Sequence, residues 1–82
     1  MDGAFCLGRM APGMAGRVIS LGCTPALSRR LSDMGVFPGT VIRCLAQSPG
    51  GDLTVFLLRG AVVALRRRDC KNILMGGAEN EI

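Results

Sequence analysis

The stretch Arg29-Arg30-Leu31-Ser32-Asp33-Met34-Gly35-Val36-Phe37-Pro38-Gly39-Thr40 decides how this chain folds, because it holds a helix end, a stop, a turn and a strand start. Just upstream, the Thr24 hydroxyl can accept from the first free amides of a helix, and Pro25 fits the first helical position, where a missing N–H costs nothing. The helix is therefore predicted to begin at Thr24. Leu27, Leu31 and Met34 recur at i, i+4 and i+7 and give one apolar stripe, with Arg29 pointing away from it and Arg30 at its border. Gly35 stands where a left-handed residue closes a helix, and Leu31 and Val36 are then the pair whose contact accompanies a Schellman ending. Pro38-Gly39 reads as the centre of a type II turn: Pro presets φ, Gly supplies a positive φ, and Thr40 opens a β-branched run.

Outward from this segment the pattern is of short strands. Gly16 to Gly22 is a strand bounded by glycines, with Val18 and Ile19 on opposite sides. In the strand from Thr40 to Ala46, Ile42, Cys44 and Ala46 share a face, and the opposite face, which carries Arg43, is expected outside. Ser48-Pro49-Gly50-Gly51-Asp52 is a loop, and Leu53 to Leu58, a tight turn at Arg59-Gly60, and Ala61 to Arg66 form a hairpin. Asp69 to Lys71 reads as a single helical turn and Asn72 to Met75 as a last short strand, while Gly76 to Ile82 is expected to fray. Phe5 to Met10, before the Pro12-Gly13 turn, fits a helical turn and an edge strand equally. Five strands with one helix inserted between the first and second predict a mainly β fold, a small SH3-like β-barrel, as a single domain over residues 1–82 with its core in 7–75. Closure suits a chain this short, which buries only roughly 60 to 65% of its unfolded surface and has little to spare for exposed sheet edges.

Composition narrows the function. With 49% hydrophobic residues the chain is not disordered, and ten cations against six acids give a net charge of +4, a weak attraction to acidic surfaces. The most apolar segment, 53–65, is broken by Arg59-Gly60 and falls short of the roughly 20 residues of a membrane span; Met1-Asp2-Gly3 lacks the basic start of a secretion signal. The expected location is the cytoplasm. Cys6, Cys23, Cys44 and Cys70 form no CxxC pair, there is no histidine, and the cysteines read as reduced, buried, small hydrophobes. Without histidine a Ser or Cys nucleophile lacks its usual base, no two acids suggest a carboxylate pair, and no phosphate-binding loop motif occurs. Asp33, Asp52 and Asp69 read as solvated or loop-capping. No catalytic, cofactor-binding or metal-ligating residue is nominated, so the chain is expected not to be an enzyme.

Arg29-Arg30-Leu31, Met34-Gly35 and Pro38-Gly39, followed by a strand and then by Arg59-Gly60 and Ala64-Leu65-Arg66, resemble the FeoA-type ferrous iron transport accessory proteins. The resemblance runs from about Leu7 to Met75 and departs from the family pattern in one loop, at Gly50 and Leu53. It implies an SH3-like cytosolic protein that assists FeoB, a membrane iron(II) transporter with a GTP-binding domain. Iron(II) favours imidazole and carboxylate ligands, and a transporter's helper need not touch the ion.

What remains for such a protein is its surface. Leu53 to Leu58 is apolar on both sides, and a barrel has one inside, so the hairpin from 53 to 65 is expected to turn apolar side chains outward unless the helix or the termini cover them. Phe56, Leu58 and Val63 are taken as those outward residues and, with Arg29, Arg30 and Phe37, form the predicted partner-binding set. The partner is the transporter's cytosolic domain or a second copy of the chain, and membrane contact runs only through that partner. Arg29 or Arg30, offered to a GTP-binding domain, has the chemistry of an arginine finger, although a surface role explains both more simply. The alternative function is a small basic barrel that binds RNA or another protein through Arg66-Arg67-Arg68. With no Trp, no Tyr and three Phe, the chain offers few stacking platforms for bases.

Overall fold

The computed structural model describes residues 4–22 and 24–77. Helix α1 spans Pro25–Asp33, and the Thr24 hydroxyl accepts from the Leu27 N–H at 3.3 Å, which satisfies one of the free amides of its first turn. At the other end the Val36 N–H donates to the Leu31 carbonyl and the Gly35 N–H to that of Ser32, both at 2.9 Å, with Gly35 at φ +97°. Those two bonds are the Schellman pair. Leu31 is fully buried and Leu27 and Met34 pack against the core from partly buried positions, so the apolar stripe faces inward.

The turn that follows is closed by the Thr40 N–H donating to the Phe37 carbonyl at 3.0 Å, with Gly39 at φ +97°. The Thr40 hydroxyl donates to the Gly35 carbonyl at 3.1 Å and accepts from the Phe37 N–H at 3.2 Å, tying the turn to the helix stop. Backbone bonds of 2.7 Å from Gly39 to Val18 and 2.8 Å from Val18 to Thr40 dock it on the neighbouring strand.

Six antiparallel strands form one sheet: β1 (Phe5–Cys6), β2 (Ala15–Leu21), β3 (Val41–Gln47), β4 (Leu53–Leu58), β5 (Ala61–Arg66) and β6 (Ile73–Gly77), in the order β1-β6-β2-β3-β4-β5. A four-residue helix, α2 (Arg67–Cys70), joins β5 to β6. The sheet wraps one core built on Phe56, Ile42, Leu58, Leu31, Ile73 and Met75. The mainly β expectation holds, with local differences. Phe5 to Met10 is both things its sequence allows, a two-residue edge strand and a 3-10 turn at Leu7–Arg9. The predicted single turn at 69–71 begins two residues earlier, and β6 runs on through Gly76 and Gly77, which were expected to fray; residues 78–82 lie outside the described residues. The barrel is open, because β1 and β5 are the two edges of the sheet rather than partners.

Two further corrections concern which way side chains point. A bulge in β3 between Cys44 and Ala46 pairs Ala46 with Val55, so Ala46 leaves the face of Ile42 and Cys44 and is exposed. In β4, Phe56 is 0% and Leu58 1% exposed, with Cys44 and Ile42 opposite them, so neither is an outward residue. Val63, opposite Phe56 on β5, is half-buried against the same core. The outward apolar residues of the hairpin are the alternate set, Leu53, Val55, Leu57, Val62 and Ala64.

Candidate functional site

The surface that results is a sheet face three strands wide. Register sets Arg43 beside Leu57 and Leu57 beside Val62, and in the next outward row Ala46 beside Val55 and Val55 beside Ala64. Cross-strand neighbours of this kind touch, so the apolar side chains form a continuous patch. Val62 is its most open member at 63% exposure, and Val41, Leu45 and Leu53 are also exposed. Arg43 and Arg66 stand at its borders. Sequence reasoning missed these residues because it gave β4 the wrong inside. The signal was present in the hairpin: the two-residue turn at Arg59 and Gly60, both at positive φ, fixes Leu57 opposite Val62, and Arg66 shares the face of Val62 and marks it as outer.

The other predicted residues lie on the helix and its turn. Arg29 and Arg30 are exposed on α1, Arg30 in its last turn. Phe37 is 44% exposed at the corner of the Pro38-Gly39 turn, whose hydrogen bonds to Gly35 and Val18 hold it on a fixed support. An aromatic ring presented this way loses little conformational entropy on contact. The structure thus keeps Arg29, Arg30 and Phe37 on one helix-to-turn segment and separates them from Phe56 and Leu58, which are core.

Arg17 Nη1 donates to the Gly39 carbonyl at 3.0 Å and Arg43 Nη1 to the Gly13 carbonyl at 3.4 Å, so both cations brace backbone turns. Burial pushes the Cys70 thiol up to about 12, with the negative charge of Asp69 and then the Cys6 and Cys44 thiols adding to the effect; burial raises Cys44 as well. Cys6, Cys44 and Cys70 are free thiols, the last two buried, and Cys23 lies outside the described residues. Among the described residues no three Cys, Asp or Glu side chains gather as a metal site would require, and no helix is long and apolar enough to cross a membrane.

The family model of the FeoA domain matches residues 5–75. Among solved structures the chain is similar to the FeoA-like protein of Clostridium acetobutylicum, at 27% identity and a TM-score of 0.85 over 100% of this chain and 95% of that one. It is similar to the FeoA protein of Chlorobium tepidum at 28% identity and a TM-score of 0.83, over 94% of this chain and 74% of that one. In fold it also matches Stenotrophomonas maltophilia FeoA, a prokaryotic SH3 domain protein solved with zinc, at 24% identity and a TM-score of 0.77 over 87% and 88% of the two chains. Among curated protein sequences none matches the chain.

Proposed function

The chain belongs to the FeoA family, and from that premise we propose that it is a cytosolic, non-enzymatic accessory protein that binds and regulates a FeoB-type GTP-binding iron(II) transporter. The family is associated with ferrous iron transport. The observation that carries the docking role is the outward apolar face of β3, β4 and β5, three strands wide and centred on Leu57 and Val62. Apolar surface of this continuity is costly to leave in water and is what a protein interface of standard size, roughly 1,200 to 2,000 Å² in total, places at its centre. Arg29, Arg30 and Phe37 supply a second, polar and aromatic contact, and iron(II) enters as the transporter's cargo.

The test is iron uptake by cells that lack the chain. Restoring the parent should restore ferrous iron accumulation; Val62→Asp, which leaves the core untouched, should fail to do so at equal abundance. Full uptake with Val62→Asp would remove the apolar face from the function. The rival reading, RNA binding through Arg66-Arg67-Arg68, has one exposed aromatic to work with, Phe37, since Phe56 is core and Phe5 is half-buried. Nucleic-acid binding should collapse between low and moderate salt, whereas docking through an apolar face should persist.

A further inference from the structure

At the seam between the two sheet edges the chain leaves a cavity of about 650 Å³. Among the described residues its charged lining is Arg9 from the 3-10 turn, Arg66 at the end of β5, and Arg67, Arg68 and Lys71 in and after α2, against a single acid, Asp52. Among the described residues these are five of the ten cations and one of the three acids, a local balance of +4. Half of the chain's cations therefore converge on one concavity.

The arrangement is built by tertiary structure, since Arg9 comes from the opposite end of the chain to the others. Its walls are tied together: the Arg67 N–H donates to the Asp52 carbonyl at 2.8 Å, and α2 packs on the 3-10 turn. Among the described residues, the guanidinium groups that donate to protein acceptors are those of Arg17 and Arg43, both outside the cavity. Gathered like charges raise one another's energy, and a multivalent anion relieves that repulsion. Four of the five cations are Arg, whose planar forks match phosphate oxygens two at a time. The volume falls within the roughly 300 to 1,000 Å³ of small-ligand pockets.

We propose that this cavity binds a condensed phosphate, a di- or triphosphate chain either free or carried by a nucleotide. Convergence on a cavity favours a compact anion over an acidic protein face or an RNA strand, which would be met by cations spread along a surface.

The experiment is a calorimetric titration of the full chain with pyrophosphate, GTP and hexaglutamate at fixed ionic strength, beside maleimide labelling of Cys6. Cys6 lines the cavity and is half-buried, while Cys44 and Cys70 are buried, so a Cys23→Ser background leaves Cys6 as the thiol a neutral reagent reaches. Pyrophosphate should bind at one saturable site and slow labelling of Cys6. The double variant Arg9→Gln, Arg68→Gln should weaken binding about tenfold or more, whereas Arg17→Gln, Arg59→Gln, an equal charge loss outside the cavity, should leave it unchanged. Arg9 and Arg68 are exposed, so the fold should survive, and continued resistance of Cys70 to labelling verifies that it has. Tighter binding of GTP than of pyrophosphate identifies a nucleotide as the source, and equal binding identifies the phosphate chain alone. Equal losses in the two double variants, hexaglutamate binding as tight as pyrophosphate, or no protection of Cys6 would each overturn the proposal.

Discussion

Gly35 sits at φ +97°, and a Cβ built on it would lie 2.9 Å from Arg59 Cδ; Gly39 has the same φ with open space around it. Ala at either position takes on the left-handed strain of about 1–2 kcal/mol, and at Gly35 the Arg59 side chain must also move. Gly35→Ala is therefore expected to lower the melting temperature more than Gly39→Ala, at roughly 4–8 °C per kcal/mol for a domain this size. Equal shifts would show that the Arg59 contact is irrelevant. A second residue-scale effect belongs to Cys70. Its thiol is held neutral in the folded chain, up to about 12 against the usual 9.0, first by burial and then by Asp69 and the Cys6 and Cys44 thiols. The unfolded chain loses that proton at lower pH, so the stabilisation is fully present below the unfolded value and is lost as pH rises from there through the folded one. Denaturation midpoints should fall steeply between about pH 9 and 12, and less steeply in Cys70→Ala, measured by urea unfolding across that range.

Between elements, the question is which side of β4 is inside, and two substitutions answer it. Phe56→Ala removes the largest fully buried side chain and is expected to cost about 3–5 kcal/mol, enough to unfold much of the population of a domain this small. Val62→Asp, on the outer face of an edge strand, should stay within about 0.5 kcal/mol of the parent. Urea unfolding of the two variants separates inside from outside. Local chemistry made the helix readable: Thr24, Pro25, Gly35 and Pro38-Gly39 each have one conformational use in that order, and the structure uses each that way. The faces of β4 were not readable from β4 alone, since Leu53, Val55 and Leu57 on one side are as apolar as Phe56 and Leu58 on the other. Only register decides them, and register is carried by the partner strands. The bulge at Leu45 had no glycine or proline to announce it. Of the basic cavity, Arg66-Arg67-Arg68 could be seen as a run, but Arg9 joins it only through the fold.

At the scale of the whole molecule, the open sheet divides the surface into zones with different physics. The outer face of β3, β4 and β5 is apolar, while the seam between β1 and β5 gathers five of the ten cations. Salt should separate them. Association driven by burial of Val62 and Leu57 should change little as ionic strength rises, because screening acts on charges and not on apolar area. Docking through this face is tested by a titration of the chain, and of Val62→Asp, against the purified cytosolic domain of the FeoB-type transporter from the same source, at two salt concentrations, with and without guanine nucleotide. Saturable, salt-tolerant binding by the parent, weakened about tenfold or more by Val62→Asp, is the predicted result. Binding that Val62→Asp leaves intact, or that vanishes at moderate salt, would show that the apolar face of β3, β4 and β5 does not dock the transporter.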